Sequence, residues 1–542
     1  MAVHSQTLMR PRRAGHEKSR NGCLTCKIRR VKCDETRPSC RNCTTTGRKC
    51  EGPIANQVQF IQGPPLSRAS TPVLVPEISP VDAAHPYYER RAFDHFVKHG
   101  APIFAGHVDA SFWTDLVPRL AQSSDFVWDA VVSISCLFEH VPYENLVTRY
   151  DQNFPYQVTN KHHQQALKYY NRAINSVRRL ADRDELDDSV AVLSCILFAS
   201  VEFQQRNVTT GTELVKDCCR MLRQGMSTGS ISKASKANSA LHEVVAPFIL
   251  RKAVLTATLG TFLPPDWNVH HESKSAMGKP LPACPTLNEA SIQLYNLLYQ
   301  CFEVTRVADI VPDLGEDPGK NRFLALRTVL MGRLTQWKSW FMSEQYQEAN
   351  KEASWMCSYL LMYWAVCYTS LATCVYINQT AFDEHRDQFA DIVQHAQVYL
   401  AHLAESPTQL PPFQTQAGIL PTLYFCALKC RDPILRREAL RLMRQAPQQD
   451  TLWAFIAPER VVEKVIPLEE RGMHSTVMDD VVGLPDKSPP EDRRFAHVSV
   501  LSRNAAGGVQ RLALQLHRFI LQANGRRRLV TEYAWLDQDM SS

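Results

Sequence analysis

The sequence predicts a mainly α-helical protein in which a small cysteine-rich module is followed by a proline-rich linker and a large all-α helical array. Three observations support this prediction. Six of the 17 cysteines lie between Cys23 and Cys50, seven of the 32 prolines lie within residues 53–86, and apolar residues recur every three or four positions from Tyr87 onward. Hydrophobic residues make up 44% of the 542 positions, which is enough for a large buried core.

Charge is distributed unevenly along the chain. Residues 1–50 hold 13 Lys and Arg against 3 Asp and Glu, whereas the other residues hold 48 against 52. A basic head on a mildly acidic body predicts a polyanionic partner for the head. Residues 1–20 are predicted to be a basic disordered tail, without the apolar stretch of a secretory signal. The basic residues of this tail either extend a phosphate-binding surface, serve nuclear import or are simply solvated: Arg10, Arg12, Arg13, Lys18 and Arg20.

Residues 21–52 contain a doubled unit, C-x2-C-x6-C, with six residues between the copies. Its cysteines are Cys23, Cys26, Cys33, Cys40, Cys43 and Cys50. Zinc prefers four soft ligands in a tetrahedron, so six thiolates suffice for two zinc ions if two of them bridge. The alternatives are a disulfide framework, which the tight C-x2-C loops disfavour, and an iron–sulfur cluster, which leaves two cysteines idle. The spacing therefore predicts two Zn²⁺ per chain.

This segment resembles the DNA-binding domain of the fungal zinc-cluster transcription factors, also called the Zn(2)-C6 fungal type. The match covers Cys23–Cys50 with all six cysteines, the basic run after the second cysteine, and Pro38 two positions before the fourth. In this family the first and fourth cysteines bridge the metals, which here implies Cys23 and Cys40. The remaining ligands implied are Cys26 and Cys33 for one zinc, and Cys43 and Cys50 for the other. Residues 87–542 resemble the family's helical regulatory region more weakly.

The two halves of the module differ in charge. The basic residues are Lys27, Arg29, Arg30 and Lys32 between the second and third cysteines, and Arg48 and Lys49 between the fifth and sixth. A metal-held helix with a basic face suits the major groove, where Arg and Lys donate to guanine O6 and N7. The resemblance implies that Arg30 contacts a base of a CGG-type triplet, with Arg29 beside it. The candidates for phosphate contacts, or else for solvated charges that serve only solubility, are Lys27, Lys32, Arg48 and Lys49. Ile28 and Val31 are expected to pack inside the module.

The linker and the helix after it bear on dimerisation. The seven prolines at residues 53–86 exclude a coiled coil, because a coiled coil needs two or three uninterrupted heptads. The next stretch, Tyr87–Gly100, is only two heptads long and is expected to pack on the helical body. We therefore expect any homodimer to form through the helical domain, residues 87–542.

Helices are predicted from apolar periodicity and from capping residues. They include Asn160–Ala181, Val190–Phe203, Glu213–Gln224, a helix opened by Asp432-Pro433, and Val509–Ala523. No sustained strand alternation is expected. The predicted loops are Phe262–Pro285, Ile310–Asn321, Glu405–Gln416 and Pro467–Arg494, the last as a disordered insertion.

Two segments leave alternatives open. Ala353–Phe382 has no charged residue, so its length alone admits a transmembrane helix. Tyrosines, cysteines and hydroxyl side chains dilute its hydropathy and no basic cluster follows, so a buried core helix is predicted and no membrane partner. Glu532–Met540 mixes acidic and apolar residues, which is typical of a short activation segment. The alternative is that Trp535 and Leu536 dock on the helical body.

The resemblance implies a nuclear, sequence-specific regulator of RNA polymerase II genes, associated in this family with metabolic or biosynthetic gene clusters. The partners implied are double-stranded DNA and the transcription machinery. The alternative is a zinc-cluster cofactor that acts by protein contacts without reading DNA. An enzyme is not predicted, since Gly278-Lys279 and Gly319-Lys320 lack the rest of a phosphate loop and His270-His271-Glu272 is not a zinc-protease motif.

Overall fold

The computed structural model divides the chain into two units, Met1–Glu77 and Ile78–Ser542. It describes residues 25–26, 29, 31, 33–36, 39–50, 85–106, 109–142, 158–205, 207–228, 244–254, 286–308, 318–405, 418–446, 458–471, 488–504, 510–521 and 527–536. The predicted tail 1–20 and the linker residues 53–84 lie outside these described residues. So do the predicted loop 262–285 and most of the loops predicted at 310–321 and 405–416.

The second unit is built mainly from α-helices. Its first part contains α1 (Tyr87–His95), α2 (Asp125–Glu139), α3 (Lys161–Asp182), α4 (Asp188–Gln204), α5 (Val208–Thr228) and α6 (244–254). Between α1 and α2 lie the π-helical turns Phe96–Gly100 and Ser111–Leu116, with the short α-helices Ala101–Ala105 and Val117–Ala121. Its second part contains α7 (Leu287–Ala308), α8 (Pro318–Phe341), α9 (Ser354–Thr373), α10 (Arg386–Glu405), α11 (Leu420–Lys429), α12 (Pro433–Gln445) and α13 (Pro458–Glu469).

Side-chain caps begin several of these helices where the sequence predicts them. The Asn160 side chain accepts a hydrogen bond from the backbone N of His163 at 2.8 Å, at the start of α3. Asp432 accepts from the backbone N of Ile434 and Leu435 at 3.0 Å, with Pro433 as the first residue of α12. Each cap satisfies amides that the first helical turn leaves without a partner.

One apolar core runs through the helical unit. Helix α2 packs on α3, α4 on α5, and α9 on α10. Phe93 of α1 and Phe96 just after it are 1% and 0% exposed, so the first helical stretch packs on the body as predicted. Helix α9 is buried almost throughout its length, which confirms the predicted core helix. Among the helices that the structure describes, none has both the length and the hydropathy needed to cross a membrane.

The helix predicted at Val509–Ala523 is wrong, because a strand occupies most of that segment. Three antiparallel strands, β1 (His497–Asn504), β2 (Gln510–Leu521) and β3 (Arg527–Trp535), form a sheet with β2 in the centre. Leu512, Leu514 and Leu516 of β2 are at most 5% exposed and belong to the main core. Their spacing of two places all three on one face of a strand.

A buried ionic network ties the segment before the sheet to the helices. The Glu469 carboxylate at the end of α13 contacts Arg431 at 3.1 Å and Arg436 at 2.8 Å, and all three side chains are fully buried. Glu469 also accepts a hydrogen bond from the backbone N of Phe495 at 2.8 Å. Arg494 donates both terminal nitrogens to Asp383, at 2.7 and 2.8 Å.

The ends of two predicted loops have defined structure. Helix α8 already begins at Pro318, and α13 continues through Pro467 to Glu469. The other end of the predicted insertion, residues 488–494, includes the 3-10 turn Glu491–Arg493, and Arg494 is 3% exposed. The ion pairs and backbone hydrogen bonds of this end offset the poor helix propensity that suggested disorder. Residues 472–487 lie outside the described residues.

The predicted alternative for the acidic-aromatic segment is confirmed for its first part. Residues up to Trp535 belong to β3, and Leu536 is 9% exposed within the main core. Glu532 pairs with Arg518 of the neighbouring strand. Docking on the body therefore accounts for Trp535 and Leu536, while residues 537–540 lie outside the described residues.

Candidate functional site

The cysteines of the first unit form two groups that share one member. One group contains Cys26, Cys33 and Cys40, and the other contains Cys40, Cys43 and Cys50; within each group all sulfur atoms lie within 4.8 Å of one another. A cysteine that belongs to both groups is positioned as a bridging thiolate between two metals. Cys23, the other bridging candidate, lies outside the described residues.

The distances between sulfur atoms fit tetrahedral zinc. With Zn–S bonds of about 2.3 Å, two thiolates on one zinc lie about 3.8 Å apart. The Sγ atoms of Cys26 and Cys40, which share a group, are 3.6 Å apart. Those of Cys26 and Cys43, which belong to different groups, are 3.8 Å apart, so sulfur spacing alone does not divide the ligands between the two metals. Cys26, Cys33, Cys40 and Cys43 are at most 3% exposed, whereas Cys50 is partly exposed. A set of donors made only of soft thiolates fits zinc.

Backbone amides support the thiolates. The backbone N of Glu35 donates to Cys33 Sγ and the backbone N of Cys40 donates to Cys50 Sγ, each at 3.4 Å. Such donors stabilise the negative charge of a metal-bound thiolate and fix its orientation.

The two halves of the module repeat one backbone hydrogen bond, as the doubled sequence implies. The N of Val31 donates to the carbonyl of Cys26 at 3.2 Å, and the N of Arg48 donates to the carbonyl of Cys43 at 2.9 Å. Both bonds span five residues from the second cysteine of their half. Gly47 takes a φ of +62°, which favours glycine, at the turn that closes the second bond.

Polar side chains that the sequence prediction did not single out join the halves. The Asp34 carboxylate accepts from the backbone N of Arg41 at 2.9 Å, so it caps the short helix Arg41–Thr44 of the second half. Thr25 donates its hydroxyl to the carbonyl of Lys49 at 3.0 Å. No local signal marked Asp34, because it lies seven residues before Arg41 and not at the N-cap position, which Cys40 occupies.

Arg29, a candidate for DNA contact, also bridges the halves. Its Nη1 donates to Thr46 Oγ1 at 3.1 Å and to the carbonyl of Asn42 at 3.4 Å. These bonds run from the basic first half to the loop after the helix of the second half. They hold the peptide segment that precedes Arg30 against the rest of the module.

The remaining DNA-contact candidates divide into two sets. Arg48 and Lys49 are exposed on the second half. Lys27, Arg30 and Lys32 lie outside the described residues, as does Ile28. Val31, predicted to pack inside, is 43% exposed. The prediction for Val31 is wrong because cysteine side chains fill the buried interior of this small module and leave no room for an aliphatic side chain.

The fold and the site together define a class of protein: a thiolate-rich binuclear metal module followed by a large helical domain. A family model, the Fungal specific transcription factor domain, matches residues 91–465, which is more than half of the chain. The chain therefore belongs to this family, which consists of transcription factors and not of enzymes. A second model, the Fungal Zn(2)-Cys(6) binuclear cluster domain, matches residues 21–58, and this domain binds two zinc ions.

Curated relatives share parts of the chain. The Aspercryptin biosynthesis cluster-specific transcription regulator of Emericella nidulans is 30% identical over 39% of this chain and 36% of its own length. A Zn(2)-C6 fungal-type transcription factor of Aspergillus fumigatus is 37% identical over 23% of this chain and 34% of its own. Sterol uptake control protein 2 of Candida albicans is 64% identical over 7% of this chain and 6% of its own. The chain thus spans about a third of the length of the first two relatives. No solved structure matches it significantly.

Proposed function

We propose that this protein regulates transcription in the nucleus by binding double-stranded DNA at CGG-type triplets through its two-zinc module. The observation that supports this proposal is the pair of cysteine groups sharing Cys40, which pack the basic first half of the module against the second. A module held in this way presents basic side chains to a groove without depending on an apolar core of its own.

The roles proposed for the basic residues rest on the family resemblance and, for Arg29, Arg48 and Lys49, on the structure as well. Arg30 is proposed to donate to guanine O6 and N7 in the major groove, and Arg29 to hold the reading segment in position through Thr46. The exposed Arg48 and Lys49, with Lys27 and Lys32, are proposed to contact phosphates. Contacts to phosphate set affinity, and contacts to bases set sequence preference.

The genes regulated are proposed to be RNA polymerase II genes of a biosynthetic or metabolic cluster. One relative is named for its regulation of a biosynthesis cluster, and the similarity extends over 231 residues, well beyond the zinc module. The other candidate function is a zinc-cluster cofactor that acts by protein contacts. The excess of basic residues in the first half favours DNA.

The decisive experiment selects DNA sites from a random library with the zinc-loaded full-length protein and with two variants. We expect Arg30→Ala to relax the preference at one G·C pair, since a bidentate contact discriminates by about 1–3 kcal/mol. Lys32→Ala should instead weaken all sequences about equally and lower the salt dependence by about one phosphate.

Two results decide against the proposal. An unchanged selected motif with Arg30→Ala removes Arg30 from base recognition. If the two-zinc protein shows no salt-dependent binding to any DNA, the cofactor function is favoured. DNA affinity that depends on phosphate contacts falls as salt is added.

A further inference from the structure

The outer edge of the C-terminal sheet is formed by strand β3. Strand β3 lies at one side of the sheet, and in the described part of the chain it pairs with β2 alone. Leu529 and Tyr533 are 50% and 49% exposed, and Arg528 and Thr531 are exposed as well. An exposed strand edge is a ready template for another strand.

The direction of the backbone groups on this edge follows from one hydrogen bond. The N of Leu536 donates to the carbonyl of Leu512 at 3.0 Å. Since Ala513 lies opposite Trp535, Leu512 and Leu536 are the next directly opposed pair. Hydrogen-bonding direction alternates along an antiparallel strand, so the even-numbered residues of β3 bond to β2. The backbone N–H and C=O groups of Leu529 and Thr531 therefore point away from β2.

The sequence of this edge is complementary to itself. When two copies run antiparallel about Val530, Arg528 of each copy lies opposite Glu532 of the other, and Leu529 lies opposite Thr531. Directly opposed residues share a face, so one charge pair forms on each side of Val530, and opposite charges at such positions are favourable. Glu532 already contacts Arg518, yet its side chain is 37% exposed, which leaves room for a second guanidinium.

We propose that residues 528–532 pair antiparallel with the same edge of a second copy of this chain and form a two-fold symmetric homodimer. Such an interface is isologous, because each surface meets its own copy. Each dimer would carry two zinc modules. The proposal concerns the protein without DNA, so it stands or fails independently of the proposed base recognition.

The first test is sedimentation velocity of the zinc-loaded full-length protein at micromolar concentration, without DNA. We expect the wild type to be a dimer and Thr531→Pro to be a monomer, because proline removes one outward N–H but leaves the β2–β3 hydrogen bonds in place. The matched control Thr531→Ala keeps the N–H and should remain a dimer. A monomeric wild type, or a Thr531→Pro protein that is folded and still dimeric, overturns the proposal.

The second test uses charge exchange. Arg528→Glu places like charges opposite each other in both pairs, and so does Glu532→Arg, so each variant alone should be a monomer. When the two variants are mixed, both opposed pairs regain opposite charges and a heterodimer should form. The control Lys351→Glu, at a position 75% exposed elsewhere on the helical unit, should not alter the dimer. A mixture that stays monomeric overturns the proposed register.

Discussion

The zinc module and the helical domain bury charge in opposite ways. In the module the buried charges are thiolates, and the ions that neutralise them come from solution. In the helical domain Glu469 is neutralised by Arg431 and Arg436 from the same chain. Burial alone would raise the pKa of Glu469, yet the two guanidiniums and the backbone N of Phe495 lower it. The module should therefore respond to metal availability, whereas the helical domain should respond to changes in its own sequence.

The largest expected effect is the loss of the zinc module while the helical domain stays folded. Cys40→Ala removes a ligand shared by both metal groups, so both zinc ions should be lost and the module should unfold. Structural zinc contributes about 10–16 kcal/mol to the folding of small zinc modules. Zinc content should fall from two ions to none, DNA binding should vanish, and the helical circular-dichroism signal should persist.

The matched control for this variant is a buried cysteine of the other unit. Cys136→Ala in α2 should leave two zinc ions per chain, because Cys136 contacts the Tyr88 hydroxyl rather than the cluster. One zinc retained by Cys40→Ala contradicts the shared-ligand arrangement.

The next largest effect tests the buried ion pairs of Glu469 in the helical domain. Glu469→Ala removes the carboxylate that contacts Arg431 and one of the two that contact Arg436, which keeps its 3.3 Å contact with Glu470. Breaking such a buried pair costs about 3–5 kcal/mol. The free energy of unfolding, measured in urea, should fall by that amount while zinc content stays at two. The control Glu463→Ala breaks a pair with Arg444 in which both side chains are 41% or more exposed, so it should change stability by about 1 kcal/mol or less. Equal losses for the two variants would contradict the burial argument.

A smaller effect depends on pH. Burial raises the pKa of Asp129 to about 6, although Arg172 partly opposes the shift. The folded state thus binds this proton more tightly than the unfolded state, whose pKa is about 3.9, so stability declines as pH rises from about 4 to 6. Asp129→Asn removes that decline.

The measurement for Asp129 is the difference in unfolding free energy between Asp129→Asn and the wild type. It should shift in favour of the variant by roughly 1–2 kcal/mol between pH 4 and 6 and then level off. A flat difference for Asp129→Asn contradicts the raised pKa.

The smallest effect lies within the zinc module. Asp34→Ala removes the cap from the helix Arg41–Thr44 and should cost about 1 kcal/mol, whereas Asp34→Asn keeps a capping oxygen and should cost less. In competition with a chelator, this loss should appear as an affinity for zinc about five-fold lower. If Ala and Asn behave alike, capping is not the role of Asp34.

The sequence predicted the zinc module well because cysteine spacing is a direct record of ligand geometry. It also predicted the α9 core helix and the α12 cap, since uncharged length and Asp-Pro are local signals. Bridging contacts such as Arg29 to Thr46 were not predictable, because the partners are 17 positions apart in the sequence and meet only in the folded module.

The sequence did not predict the sheet, because the spacing of apolar residues in β2 fits both a helix and a strand. Leu512 and Leu516 are four residues apart, which satisfies both a helix and a strand. Leu514 between them decides for the strand, and it is 0% exposed. The dipeptide Asn524-Gly525 before β3 is a hairpin signal, but Asn and Gly also follow the ends of helices, so it fitted a helix predicted to end at Ala523.

The buried ionic network around Glu469 can be completed only late in the synthesis of the chain. Chains emerge from the ribosome from the N-terminus onward, at about 5–20 residues per second. Arg431 and Arg436 therefore appear before Glu469, and the amide of Phe495 that completes the carboxylate appears later still. Until then two guanidiniums have no buried partner, so the second half of the helical core stays open to water. A nascent chain thus exposes apolar helices such as α9 for several seconds, an interval in which chaperones would bind it.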